Sequence, residues 1–180
     1  MTPDKKNALA VAAMAIVSRG AAVALLRRGR KALGLDVSPS RVGLAVSDPS
    51  GSALPLGTIR RKHRGGGSEM RDIGRQIAAA ATRHGVCVLA VGWPLEPSGA
   101  AGERCEAVRD FVDAVRRVAQ NLPPVVFVDE RFTTQAARHQ LSEAGASLKH
   151  GAEDSAAAAL ILETLLDGAP PPSRFFDPPD

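Results

Sequence analysis

Val86-Cys87-Val88-Leu89-Ala90-Val91 has no polar position, and this run constrains the fold more than any other stretch of the chain. A strand with one wet face alternates, whereas a continuously apolar strand is covered on both faces. The flanks supply the covers. Upstream, Met70, Ile73, Ile77 and Ala81 recur at helical spacing behind Ser68, a candidate N-cap. Downstream, Val108, Phe111, Val112, Val115 and Val118 form a second amphipathic helix, stopped by Pro123-Pro124. Val125 to Asp129 then reads as another strand.

Three strands precede these elements. Residues 32–37 form the first, Val42, Leu44 and Val46 alternate as a half-buried second, and Leu54 to Arg60 form the third. Ser38-Pro39-Ser40 and Asp48-Pro49-Ser50-Gly51 are the turns between them. A short helix is expected over Thr134 to Leu141 and a last one over Ala152 to Leu166, with Gly168 as its cap. The expected architecture is α/β: a five-stranded mixed sheet, an antiparallel three-strand meander plus two further strands, flanked by helices.

The basic balance is local. Residues 1–31 carry seven basic side chains and one acid, +6, so the remainder of this +4 chain is at −2. Global charge therefore does not argue for nucleic-acid binding. The chain divides into a basic N-terminal extension (1–31), a main domain (32–168) and a Pro-rich tail (169–180). The extension is either a targeting segment or a helix docked on the domain, which sets the expected compartment as cytoplasmic or, for a transit segment, chloroplast or mitochondrion. No stretch reaches the roughly 18 apolar residues of a membrane span. Cys87 and Cys105, and His63, His84, His139 and His150, lack ligand spacing.

Asp36 interrupts the apolar strand Ala32-Leu33-Gly34-Leu35-Asp36-Val37. An unpaired carboxylate costs several kcal/mol in such a place, so a charge kept there implies a cationic partner. Asp129 and Glu130 end a second strand, and Asp154 opens the Ala-rich helix. Acids at two strand ends and one helix start can converge on a divalent metal, the arrangement of a metal-dependent nuclease. Successive strand residues face opposite ways, so Glu130 is ranked above Asp129, which is held as a reserve ligand, or instead orients Arg131 or caps the following helix.

Several motifs occur in an order that resembles the YqgF/RuvX family. They are Leu35-Asp36-Val37-Ser38-Pro39-Ser40-Arg41-Val42-Gly43-Leu44-Ala45-Val46-Ser47-Asp48, Pro55-Leu56, Val91-Gly92-Trp93-Pro94-Leu95, Asp129-Glu130-Arg131-Phe132-Thr133-Thr134 and Asp154-Ser155-Ala156-Ala157. The resemblance implies an RNase H-like fold, a likeness to Holliday-junction resolvases, and in bacterial members a part in maturing the 5′ end of small-subunit ribosomal RNA precursors. It implies that Asp36, Glu130 and Asp154 are the catalytic, metal-binding acids, with Mg²⁺ or alternatively Mn²⁺, acting on structured RNA or branched DNA. A monomer or homodimer, without a membrane partner, is expected.

Two departures from the family pattern are Ser38, where Gly is usual, and Glu96, where Asn is common. They motivate the reading of a nucleic-acid-binding module without catalysis. An actin-like ATPase domain, suggested by the strand–acid–turn–strand start, needs two such domains around its nucleotide. Expected phosphate contacts are Arg41 and Arg131 beside the acids, and the run Arg60, Arg61, Lys62 and Arg64, for which a solvated loop is the alternative. Trp93 either stacks on a base or packs under the sheet edge.

Overall fold

The computed structural model describes residues 15–26, 29–48, 50–62, 66–119, 121–131 and 152–167. The sheet consists of β1 (Lys31–Val37), β2 (Arg41–Ser47), β3 (Ala53–Arg60), β4 (Val86–Trp93) and β5 (Val125–Asp129). The described helices are α1 (Arg19–Leu26), α2 (Gly67–His84), α3 (Glu103–Val118) and α4 (Ala152–Leu166). The strand order is β3-β2-β1-β4-β5. The meander β1–β2–β3 is antiparallel, and β4 and β5 join it in parallel. This is the mixed five-stranded sheet expected from the sequence. The expected helix at Thr134 to Leu141, the Gly168 cap and the tail lie outside the described residues, as do Arg64, His63, His139 and His150.

The all-apolar strand explains the layering. Leu89 and Val91 face α2 and α3, while Val88 and Ala90 face α4, and all four are buried. The first face holds the larger side chains, with Leu33, Leu35, Trp93 and Phe127 against Ile73, Ile77, Phe111 and Val112. Trp93 is packing material there, 2% exposed and tilted against Phe127 at 4.5 Å between ring centres. The second face is built from small residues, among them Ala32, Ala45 and Ala90, under Ala158, Ala159 and Leu162.

Local chemistry sets most boundaries. Gly85, at φ 66, ends α2 in the left-handed region that glycine enters without penalty. The N-cap of that helix is Gly66 rather than Ser68, which lies inside the first turn; no side chain caps it. α3 stops at Val118, several residues before the two prolines. Ser38 closes the β1–β2 hairpin: its hydroxyl accepts from the Arg41 amide at 3.1 Å and donates to the Arg41 carbonyl at 3.0 Å.

Part of the N-terminal stretch packs on the sheet. Ile16 bridges Val125 in parallel on the outer edge of β5, and the Val17 amide donates to the Val125 carbonyl at 2.8 Å. Ala22 of α1 is fully buried. Arg19 donates to the carbonyls of Thr164 (3.2 Å) and Leu165 (3.0 Å), which α4 leaves open at its C-terminus. α4 has no basic residue of its own in that last turn, so the guanidinium also complements the helix dipole.

Candidate active site

Parity along β1 places Ala32 on the α4 face and Leu33 and Leu35 on the other. Asp36 therefore points towards α4, at the carboxyl end of the strand. β5 follows the same rule, with Val126 and Val128 on the α4 face and Phe127 opposite. The Glu130 amide still donates to the Trp93 carbonyl at 3.1 Å, so the ladder continues one residue past β5. Glu130 thus shares a face with Asp36. Asp129 takes the other face, buried at 7% exposure, where its carboxylate accepts from the Arg131 Nη2 at 2.7 Å and from the Arg131 Nε and amide. The structure shows Asp129 orienting Arg131, and the following helix that it was expected to cap lies outside the described residues.

Glycines make the room. Gly43 pairs with Asp36 across the β1–β2 ladder, and a Cβ there would strike the backbone carbonyl of Asp154. Gly34 lies against the Ala158 carbonyl in the same manner. On the other flank Gly92 follows Val91, the partner of Leu35, and a Cβ on it would strike the Glu130 carboxylate. Each neighbour strand of Asp36 therefore carries a glycine beneath another acid: Gly43 under the start of α4, Gly92 under Glu130. Ala158 and Ala159 complete the close approach from the helix side.

The acids feel one another. Burial pushes the Asp36 carboxyl up to about 6, and repulsion from Asp154 adds to it. Burial pushes Glu130 up to about 7, with further repulsion from Asp36 and Asp129. Arg104 opposes both shifts. Asp154 Oδ2 lies 3.3 Å from the Arg41 Nε, yet this buried oxygen has no hydrogen bond. An ion pair so poorly aimed leaves the oxygen under-satisfied.

This environment fits a hard divalent cation. It offers an under-satisfied carboxylate oxygen and two further carboxyls whose ionisation is opposed by burial and by their neighbours. Among the described residues no three His, Cys, Asp or Glu side chains stand close enough together to hold one metal ion jointly. Mg²⁺ needs no such trio, since it keeps several waters and is usually held by one or two carboxylates plus substrate oxygens. Asp36, Glu130 and Asp154 are the candidates from which one or two carboxylates of that kind would come.

The other expected contacts are placed variously. Arg41 is paired with Asp154. Arg61 folds back, donating to the Ser38 carbonyl at 2.6 Å with its guanidinium 4.8 Å from the centre of the Phe111 ring. Arg60 and Lys62 are exposed. Arg131 is clamped by Asp129 and lies against Gly99. Glu96 does not join the acids; it is exposed and packs on Gly102 at the start of α3.

A family model described as "RuvX: Holliday junction resolvase" matches residues 30–168. The chain belongs to the RuvX family. A RuvX relative from Paramagnetospirillum magneticum, named "Putative pre-16S rRNA nuclease", is 38% identical over 157 residues, 86% of this chain and 96% of the relative. A relative of the same name from a Nocardioides strain is 41% identical over 141 residues, 75% of this chain and 86% of its own. Among solved structures, a T. thermophilus RuvC in complex with a Holliday junction substrate aligns with TM-score 0.48 and 16% identity. That alignment covers 73% of this chain and 91% of the RuvC chain.

Sequence reasoning missed Gly34, Gly43, Gly92 and Arg104 in this RuvX site. Glycine inside a strand is itself a signal of close backbone approach. The signal for Arg104 is its place on the apolar stripe of α3, four residues before Val108 and seven before Phe111, both buried.

Proposed function

We propose that this RuvX-family protein is a divalent-metal-dependent endonuclease that hydrolyses phosphodiester bonds in structured nucleic acid. Its preferred reaction on this reading is 5′-end processing of the small-subunit ribosomal RNA precursor. The observation that carries the metal-dependent part is the placement of Asp36, Glu130 and Asp154. They come from β1, the end of β5 and the start of α4, and lie on one face at the carboxyl edge of the sheet, where Asp36 feels the charge of Asp154 and Glu130 that of Asp36. The names of the relatives support the RNA substrate, and the description of the family model supports a second reading, resolution of branched DNA.

In this mechanism Asp36, Glu130 and Asp154 would hold Mg²⁺ or Mn²⁺. When bound, the ion would activate water and stabilise the leaving oxygen of the phosphodiester. The protein supplies rigidity. Asp36 is fixed within a paired strand, Glu130 is seated over Gly92, and Asp154 is set by the contact of α4 with Gly43. Arg41 reaches the Asp154 carboxylate from the β1–β2 hairpin that Ser38 closes, a position from which it meets a substrate phosphate as well. Arg131, held by Asp129, is a second phosphate contact in this proposal. Arg60, Lys62 and Arg64 extend the basic contacts along the nucleic acid in this proposal.

The test is cleavage by the full chain, with Mg²⁺ or Mn²⁺, of a precursor ribosomal RNA segment against a four-way DNA junction. Metal-dependent cutting of the RNA supports the first reading, and preferential cutting of the junction supports the second. Binding without cleavage under either metal would leave a nucleic-acid-binding module and overturn both.

A further inference from the structure

The basic run at the end of β3 reads as one patch in the sequence, but strand register divides it. Arg60 stands opposite Arg41 in the antiparallel β2–β3 ladder, so the two share a face. That face looks towards α4, since Arg41 reaches the Asp154 carboxylate from it. Ile59 lies on the other side, in the core against α2 and α3, and Arg61, two residues on, returns to that side. Exposure follows the same alternation: Arg60 and Lys62 are exposed and Arg61 is half-buried.

Arg61 is fixed through its backbone and its side chain. Its amide donates to the Ser40 carbonyl at 2.8 Å, and the Lys62 amide donates to the Glu69 carboxylate in the first turn of α2. The guanidinium donates from Nη1 to the Ser38 carbonyl at 2.6 Å and lies 4.8 Å from the centre of the buried Phe111 ring. A planar guanidinium can stack on an aromatic face and still donate along its edge. One side chain therefore ties the β1–β2 hairpin to α3. The other bonds of the hairpin are internal. The Ser38 amide and hydroxyl both donate to the Arg41 carbonyl, at 2.9 and 3.0 Å, and the hydroxyl accepts from the Arg41 amide at 3.1 Å. Those bonds set the shape of the turn, and Arg61 joins it to the helices. Arg41 opens β2 directly after the turn, with its Nε 3.3 Å from the Asp154 Oδ2.

We propose that Arg61 is a positioning residue: by fastening the Ser38 carbonyl to Phe111 it sets the hairpin from which Arg41 engages Asp154 and the substrate phosphate. The proposal rests on the nuclease reading above. It separates two neighbours that composition makes equivalent. Arg60, exposed beside Arg41, meets nucleic acid, whereas Arg61 acts inside the protein and touches no phosphate. A hairpin released from α3 would let Arg41 swing, and a charge-assisted bond to phosphate depends on a held geometry.

Arg61→Gln in the full chain tests the proposal, with Arg61→Lys beside it, each also in an Arg41→Gln background. Expected for Arg61→Gln alone is a fall in kcat/KM of about 10-fold, within the coupling of residues in one hydrogen-bonded network. In the Arg41→Gln background the same change should cost less than about twofold, because the residue it acts through is already gone. Arg61→Lys should recover part of the rate, since it keeps a donor and the charge without the planar fork. Binding is read in an Asp36→Asn background, where nothing is cut. There Arg61→Gln should leave the salt slope of nucleic-acid affinity unchanged, and Arg60→Gln should lower it by about one. Ile77→Val, a core truncation in α2, controls for lost stability. Both it and Arg61→Gln should melt about 3 °C lower, but only Arg61→Gln should lose rate and speed the solvent exchange of the Arg41 amide.

A phosphate contact behaves differently. A slope lowered by about one in Arg61→Gln, or a rate loss that multiplies with that of Arg41→Gln, overturns the proposal. An equal rate loss in Ile77→Val reduces the effect to stability and overturns it as well. So does a cutting Arg61→Gln chain that matches wild type. If the wild-type chain neither cuts nor binds any nucleic acid, the nuclease reading fails first and this proposal falls with it.

Discussion

The two faces of the sheet are built to different rules although the same strands supply both. Against α2 and α3 the strands present Leu33, Leu35, Val91 and Trp93, a thick apolar layer whose side chains set the helix distance. Against α4 they present Ala32, Gly34, Gly43, Ala45 and Gly92, and there the helix backbone sets the distance. Large side chains give most of the burial energy. Small ones bring α4 down until its first turn meets the strand end that carries Asp36. Stability and function are thereby separated across one sheet: the thick face holds the fold, and the thin face assembles the acids.

The largest expected effect tests the thin face. Asp36→Asn should abolish metal-dependent cleavage while the protein stays folded, and in the metal-free state it should melt higher, since it removes a buried charge repelled by Asp154. Retained turnover in purified Asp36→Asn protein would detach this acid from catalysis.

Substituting neighbours on one strand compares the faces directly. Leu35→Ala opens a cavity on the thick face and should cost about 2–5 kcal/mol in denaturant unfolding. Gly34→Ala adds one carbon on the thin face, against the Ala158 backbone, and should cost about 1–3 kcal/mol because α4 must move. Gly92→Ala meets chiefly the end of the flexible Glu130 side chain and the Ile161 methyl. It should therefore reduce cleavage more than stability, and an activity equal to wild type would show that the seating of Glu130 is unimportant.

The acids also give the metal-free protein a pH dependence. Asp36 is raised from 3.8 to about 6 and Glu130 from 4.5 to about 7. Between those values the folded state binds more protons than the unfolded one, so stability falls as pH rises. The loss should run from about pH 4 to about pH 7 and then level off, each tenfold difference in proton affinity between the two states being worth roughly 1.4 kcal/mol. Glu130→Gln should remove the upper part of the slope in thermal melts across that range, and Asp36→Asn the lower part. A slope unchanged in both variants would place the titrating groups elsewhere.

The smallest effect concerns the N-terminal stretch on the far end of α4. Arg19→Gln gives up two hydrogen bonds to the Thr164 and Leu165 carbonyls and should cost about 1 kcal/mol. Deleting residues 1–26 should cost more, since it also strips Ala22 from the α4 face and Ile16 from the β5 edge. A deletion that melts like the full chain would make this stretch dispensable to the domain.

The amino-acid sequence by itself determined the elements. Val125–Asp129 and Ala152–Leu166 stand where their patterns put them, and β1 to β4 differ by one or two residues at their ends. Periodicity is a local property, so composition and spacing suffice to read it. The separation of Glu130 from Asp129 was legible for the same reason, because alternation along a strand assigns each residue a face. Helix ends were less so: Gly66 rather than Ser68 caps α2, since the energetic difference between neighbouring start points is small. Only the tertiary structure decided which residues meet. Gly43 beneath Asp154, Gly92 beneath Glu130, Arg61 folded onto Phe111 and Arg19 on the end of α4 join groups remote in the chain. Those meetings depend on strand register and on how closely a helix approaches the sheet. Both are set by packing between elements, and no single segment contains them.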